Sequence, residues 1–509
     1  MMENVGSVLH RWAQQDPERT GIVDVGRDER RLSYGELDRQ ASRVAAHLLE
    51  RGLGPGDRIA ICTANGMDFV AAWFGAVYAG CTTLPIPVMS TSHEIAFRLQ
   101  HAGCKALLTD AGRVDVARAS RKRAGVDTSL LQIQEALQEA SGEVAPHDVP
   151  PGSLAMLLYT SGTTGAAKAV CITHESLRMH TKALVEQTLR LTEEDRILGA
   201  LPLTHSYGIR MTLLVPFYAG ASTVFVPKFS AARTLDLCST HAITWLPAVP
   251  TMFVAWARDR RKQKPSALRW CMSAGAPLPE DVRLRAEERL DAPVRQGYGL
   301  TEATFTTINA PPDVGVAGSS GKPVAGVEVR IADNFGEELP PGTHGEVLIR
   351  GQNVMAGYLN DALATAHVMR GGWLHTGDIG FADEEGRLSI ADRIKDLILR
   401  GGASIYPSEV ENVLARHPAV DDVAVVGQPD DYYGEEIVAV IVRHGDVTAD
   451  LLDQWAREQL APYKLPRLYA FADELPQGMS GKTLKRRLRD RLMSGDLDTE
   501  KLSPHRPAE

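Results

Sequence analysis

Short apolar runs alternate with amphipathic stretches over roughly the first 310 positions. The runs at 58–62, 106–108, 197–201, 222–226 and 244–246 have strand length, which predicts buried strands. Between them, positions 36–51 and 231–241 repeat apolar residues at helical spacing and predict helices. Regular strand–helix alternation predicts parallel sheets covered by helices. The opening MMENVGSVLHRWAQQDPERT reads as an amphipathic helix and lacks the apolar core of a signal peptide.

Beyond about residue 310 the texture changes. Glycine-rich turns separate β-branched runs at 327–332, 345–350 and 387–391, which predicts antiparallel β structure. After Arg393 the pattern changes again: a helix at 408–417, strands at 423–427 and 437–442, and a helix at 450–459. These predict a compact α+β unit of about 115 residues. The polar tail after Ser494 is expected to fray.

Composition narrows the class. A chain of 509 residues exceeds what one core supports, so two or more domains are expected. With 44% hydrophobic and 23% charged residues it reads as an ordinary globular protein. A net charge of −9 argues against nucleic acid as a partner. The cluster Lys485, Arg486, Arg487, Arg489 and Arg491 reads as the solvated face of a C-terminal helix. Six scattered cysteines without a CxxC pair fit reduced core thiols in a cytoplasmic protein and offer no zinc site. The uncharged stretch 69–92 is broken by Gly75, Gly80, Pro85 and Pro87. It reads as a buried helix over 68–79 and a short strand, and no membrane span is expected.

The candidate chemistry starts at YTSGTTGAAK (159–168), directly after the apolar run 154–158. Gly162 and Gly165 let backbone N–H groups crowd an anion. Thr160, Ser161, Thr163 and Thr164 add hydroxyl donors, and Lys168 adds a positive charge. The pattern points to a phosphate cradle. It is not a Walker A loop, which would need glycine at Ala167 and Ser or Thr at Ala169. The SGKT at 480–483 fails the same test, because its first glycine would fall on Pro476.

Seven further motifs follow in order: LPLTHSYG (201–208), SAGAPLP (273–279), QGYGLTEA (296–303), HTGD (375–378), DRIKDLI (392–398), RGGASIYPSEVE (400–411) and QGMSGK (477–482). With the phosphate loop, this series resembles the adenylate-forming superfamily of acyl- and aryl-CoA ligases, luciferases and peptide-synthetase adenylation domains. The resemblance spans nearly the whole chain and is closest to stand-alone CoA ligases. Ala167 and Ala169 depart from the proline and glycine often found there, a change expected to affect loop stiffness more than chemistry.

The resemblance implies an α/β plus α+β fold. A large N-terminal domain (1–394) of helix-covered, mainly parallel sheets with a small distorted β-barrel would bind ATP and the acid. A small mobile C-terminal α+β domain (395–509) would act as a lid hinged near Lys395. It also implies two half-reactions: activation of a carboxylic acid by ATP with Mg²⁺, then transfer to the thiol of coenzyme A. Both steps build negative charge, so fixed donors and cations are needed where it develops.

Carried onto this sequence, the loop from Thr160 to Lys168 would hold the β- and γ-phosphates. Gly275 and Ala276 would close over the purine, Tyr298 would stack on adenine, and Gly299 would lie beside it. Thr301 resembles the hydroxyl at the α-phosphate and Glu302 the Mg²⁺ ligand, a role a lone carboxylate can fill because Mg²⁺ keeps phosphate oxygens and waters. Asp378 resembles the acceptor of both ribose hydroxyls and Arg393 its neighbour. Lys482 resembles the lysine that bridges acid and ATP in the first step. Gly401 and Gly402 would pass the pantetheine arm.

His205 matches the position beside the reacting carboxylate. Ser206 stands where amino-acid-activating members place an aspartate, which disfavours α-amino acids. Tyr207, Trp245 and Met252 are expected to supply an apolar wall. Arg210, four residues after Ser206, either pairs with a second carboxylate or polar group on the acid, or takes an internal ion pair or a rim position near the thiol channel, and the second reading weighs slightly more. Coenzyme A is the expected acceptor; the phosphopantetheine of a separate carrier protein is the alternative. A non-catalytic acyl-nucleotide-binding protein of this fold would have lost Lys482 or Glu302, and both are present. A homodimer is left open.

Overall fold

The computed structural model describes residues 4–26, 28–139, 142–160, 167–261, 264–312, 315–477 and 483–501. Two helix-covered sheets form the first part of the chain. In the seven-stranded sheet, Arg58–Cys62, Thr82–Pro85, Ala106–Thr109 and Ser129–Gln132 run parallel. At its other side lie the antiparallel strands Leu154–Thr160 and Lys168–Thr173 and the two-residue strand Gly357–Tyr358. In the nine-stranded sheet, Trp245–Ala248, Trp270–Ser273 and Val294–Leu300 are successive parallel neighbours, and the chain then turns back through Ala303–Ile308.

The helices begin where local chemistry starts them. Helix Tyr34–Glu50 opens on a capping box, Ser33 accepting from the Glu36 N–H while the Glu36 carboxylate accepts from the Ser33 N–H. This puts its start two residues before the apolar periodicity. Thr91 and Glu94 cap helix Ser92–Ala102 in the same way. Helix Met67–Tyr78 is apolar on every face and buried along its length from Phe69, so it is a core helix. No described helix is long and apolar enough to cross a membrane.

Between residues 327 and 393 the chain forms an antiparallel sheet. Val327–Ala332, Gly345–Gly351, Met369–Arg370, Trp373–Ala382 and Leu388–Arg393 form one curved five-stranded sheet, the counterpart of the expected small barrel. The segment from Ile398 builds a six-stranded sheet with its own core, including Ile398, Ile405, Val425, Ile437, Leu452 and Tyr469. Its central strands, Val420–Asp430 and Gly434–Arg443, are longer than their apolar runs because they form an extended antiparallel pair. All six cysteines are buried and free.

Candidate functional site

The phosphate-loop motif joins two antiparallel strands, with Thr160 opposite Lys168. A Walker loop instead runs from a strand into a helix, so topology as well as sequence separates the two. Ser161, Gly162, Thr163, Thr164 and Gly165 lie outside the described residues. Lys168 opens the return strand, and its Nζ sits 4.9 Å from the centroid of the Tyr358 ring.

The second wall comes from Val294–Leu300 and Ala303–Ile308, with Thr301 and Glu302 at the turn between them. Gly299 is required here: a Cβ would lie 2.5 Å from the Phe305 nitrogen. Both Thr301 and Glu302 are half-buried. Glu302 Oε1 accepts from the Tyr358 hydroxyl at 2.8 Å, and its backbone carbonyl accepts from the Met355 N–H at 2.8 Å. Gly275 and Ala276 follow strand Trp270–Ser273 at its carboxyl end, Gly275 exposed at φ +92° and Ala276 half-buried.

The third wall belongs to the curved sheet, whose register pairs Asp378 with Arg393. Asp378 is 3% exposed. Its Oδ1 lies 3.0 Å from Arg393 Nε, and its Oδ2 accepts from the Tyr298 hydroxyl at 2.5 Å. Burial and the Asp378 charge push the Tyr298 phenol pKa up, so its proton stays on and donates. Burial is the largest influence on Arg393 and works against its charge, but Asp378, Tyr298, Asp396 and Glu302 together outweigh it and the guanidinium pKa is raised. Three expected nucleotide residues from distant parts of the chain thus meet in one network.

Sequence reasoning missed two residues of this region. Glu346 accepts from the Gly377 N–H at 3.0 Å through Oε1, and its Oε2 lies 2.8 Å from His375 Nδ1. It fixes the turn that delivers Asp378. Tyr358 holds Glu302. Neither carries a local signal, since each acts on a residue brought close only by folding.

The expected acid-binding segment is rearranged. His205 caps the short helix Ser206–Ile209, its Nδ1 accepting from the Tyr207 N–H at 3.3 Å. The residue is solvent-exposed, yet the protein crowded around it lowers the pKa of its ring by desolvation. Ser206 is buried at the first helical position. Tyr207 is 5% exposed, with its hydroxyl directed to the carbonyls of Met272 (2.9 Å) and Ala248 (3.2 Å) and its ring edge-on to Phe305. Met252 is buried at 8% exposure. Trp245 does not join this wall: it is fully buried at the start of its strand, packed on Trp270.

Arg210 is 1% exposed and turned inward. Its guanidinium donates to the Leu177 carbonyl (2.9 Å), Thr181 Oγ1 (2.8 Å) and Thr304 Oγ1 (3.0 Å). These three partners are neutral, and burial pushes its pKa down to about 9. The α-helix gives way to a π-helical turn over Arg210–Leu214, so helical spacing from Ser206 misplaces this side chain. Its placement is the internal one, with hydrogen bonds instead of an ion pair.

In the C-terminal unit Gly401 and Gly402 form the turn between Ile398–Arg400 and Ala403–Ile405, at φ +57° and +83°. The Gly401 N–H donates to the Tyr433 carbonyl at 2.8 Å, and the Arg400 guanidinium lies 4.3 Å from the centroid of that ring. Lys395 sits exposed in the single 3₁₀ turn Ile394–Asp396, directly after Arg393. Lys482 lies outside the described residues.

Comparison with known proteins accounts for this arrangement. The AMP-binding enzyme profile matches residues 9–359, and the profile of its C-terminal domain matches residues 409–482. The chain belongs to the AMP-binding enzyme family. Among its relatives, the long-chain-fatty-acid–CoA ligase of Bacillus subtilis is 32% identical over 95% of this chain and 93% of its own. The feruloyl-CoA synthase of an Amycolatopsis species is 34% identical over 96% and 99%. Among solved AMP-binding enzymes, ATP-bound MatB from Rhodopseudomonas palustris superposes with a TM-score of 0.90 at 32% identity, covering 96% of this chain and 99% of that one. The o-succinylbenzoate CoA synthetase MenE from Bacillus subtilis, solved with ATP and a magnesium ion, gives 0.86 at 32% identity, covering 95% and 99%. MenE has also been captured with its acyl-adenylate intermediate, OSB-AMP.

Proposed function

We propose that this AMP-binding enzyme is an ATP-dependent acid–thiol ligase of the AMP-forming type. In the first half-reaction a carboxylate oxygen of the acid attacks the α-phosphorus of ATP. The bond from that phosphorus to the bridging oxygen breaks, leaving acyl-AMP and pyrophosphate. In the second, the sulfur of coenzyme A attacks the acyl carbon, the bond to the AMP oxygen breaks, and the thiol proton leaves to solvent.

The observation that carries this reading is the network of Tyr298, Asp378 and Arg393. A carboxylate is acceptor-only, and each of its oxygens keeps a second lone pair beyond the one used by Tyr298 or Arg393. That set suits the vicinal hydroxyls of a ribose. The Glu302 carboxylate suits Mg²⁺: it is half-buried, and among the described residues only its Oε1 has a side-chain partner. Mg²⁺ there would supply positive charge to phosphate oxygens, while Lys168 would hold the leaving phosphates. His205 keeps Nδ1 as an acceptor, so in the neutral ring Nε2–H is free to orient the substrate carboxylate.

We assign the alternation of half-reactions to the two parts of the chain. Residues 1–394 bind ATP and acid, and residues 395–509 swing about Lys395, bringing Lys482 to the first step and the Gly401–Gly402 turn to the second. Arg210, engaged by neutral internal partners, lends no support to a dicarboxylic substrate. The enclosing residues Tyr207 and Phe305 favour an uncharged acyl group, aliphatic or aromatic.

The test is mass spectrometry of the purified enzyme with ATP, Mg²⁺, coenzyme A and a panel of aliphatic, aromatic and dicarboxylic acids. Acyl-CoA accumulating from one class of monocarboxylic acid is the expected result. Acyl-AMP accumulating without acyl-CoA would replace coenzyme A by a carrier protein as acceptor. Neither product from any acid would contradict the ligase reading.

A further inference from the structure

The segment 354–359 crosses from one wall of the site to the other. Val354 bridges Ala303, and the Met355 N–H holds the Glu302 carbonyl at 2.8 Å. Gly357 and Tyr358 then pair with Cys171 and Val170, and the Leu359 N–H donates to the Ala169 carbonyl at 2.8 Å. Gly357 must be glycine: it sits at φ +142°, and a Cβ would lie 2.9 Å from Thr365. Thr365 Oγ1 in turn accepts from the Tyr358 N–H at 2.9 Å, which fixes where the tyrosine leaves the backbone.

From that point Tyr358 reaches both chemical groups. Its hydroxyl donates to Glu302 Oε1 at 2.8 Å, and its ring face receives the Lys168 ammonium at 4.9 Å. One oxygen of the carboxylate is therefore fixed, and a carboxylate with one oxygen fixed has lost the rotation that would let the other wander. The cation–π contact holds the Lys168 ammonium over the ring whose hydroxyl binds that carboxylate.

We propose that Tyr358 is a positioning residue for metal binding: its hydroxyl orients Glu302 toward Mg²⁺, and its ring holds Lys168 in register with that metal site. This rests on Glu302 as the Mg²⁺ ligand, and it adds a residue whose two ends can be tested apart. The hydroxyl serves the metal, and the ring serves the lysine.

Tyr358→Phe removes the hydroxyl and keeps the ring. The direct readout is electron paramagnetic resonance of free Mn²⁺, titrated into the full-length enzyme carrying a non-reactive α,β-methylene ATP analogue. The Mn²⁺ concentration for half-saturation is expected to rise roughly tenfold, the effect of losing one hydrogen bond to a charged group. Affinity for the analogue without metal, and the thermal midpoint of the ligand-free enzyme, are expected to stay close to wild type. Unchanged Mn²⁺ half-saturation would overturn the proposal. So would equal weakening of nucleotide binding with and without metal, because that pattern marks a merely structural role. Glu302→Gln in parallel separates the two failures. If it raises the Mn²⁺ requirement and Tyr358→Phe does not, only the positioning role falls; if neither does, the metal assignment of Glu302 falls with it.

Discussion

Asp378 commits both carboxylate oxygens within the protein, one to Arg393 and one to Tyr298, while remaining almost wholly buried. A group held this firmly needs little reordering to accept a ribose. Asp378→Asn removes the charge and turns one acceptor into a donor, so ATP affinity is expected to fall about tenfold or more. Isothermal titration with ATP checks this, and an unchanged affinity would remove Asp378 from the nucleotide site. Arg210 gives the opposite expectation. Arg210→Leu strands Thr181 and Thr304, so the thermal midpoint is expected to drop while the order of preferred acids stays the same; a shift toward apolar acids would return Arg210 to the substrate pocket. Asp378 and Arg393 were legible in the sequence because their motifs are local. Tyr358 and Glu346 were not, because each matters only through a partner 56 or 31 residues away.

Helix His174–Ala183 shows what an element contributes beyond its side-chain list. It carries His174 and His180, both fully buried, and its Leu177 carbonyl and Thr181 hydroxyl hold Arg210. His174 Nδ1 accepts from the Val5 N–H at 3.1 Å, and burial lowers its pKa to about 4. His180 is shifted the same way by burial and the Arg210 charge. In the unfolded chain these rings titrate near 6.5, so between pH 6.5 and 4 the unfolded state binds protons that the folded state does not. Stability is therefore lost as pH falls through that window, by about 3 kcal/mol from His174 at its lower end. His174→Asn, which keeps an acceptor for Val5, is expected to flatten the fall of the thermal midpoint between pH 7 and 5; an identical slope would contradict the assignment. The strands and helices themselves were legible wherever apolar periodicity was unbroken, as at Arg58–Cys62. The π-helical turn at Arg210–Leu214 was not, because a hydrogen-bonded loop longer by one residue leaves no pattern in composition.

At the scale of the whole molecule, the segment from Ile398 has a core separate from that of the preceding sheets, and the proposed mechanism needs it to swing about Lys395. Between the two, Asp392 receives the Ser408 N–H at 2.9 Å, and Arg258 pairs with Asp421 at 3.3 Å. These polar contacts suit a joint that is remade instead of a fused core. Lys482→Ala is expected to abolish adenylate formation and largely spare thiolysis of a supplied acyl-adenylate; equal loss in both steps would sink the alternation. The ordered series of motifs made the ligase class legible from sequence. The direction of Arg210 and the stapling of Glu302 needed the assembled sheets.

The most direct test of the account follows oxygen. With the substrate carboxylate labelled on both oxygens with ¹⁸O, turnover with ATP and coenzyme A should leave one ¹⁸O in the phosphate of AMP and the other in the thioester, as read by mass spectrometry. Unlabelled AMP, or label appearing in inorganic phosphate with ADP as co-product, would contradict an acyl-adenylate and the reading of this site with it.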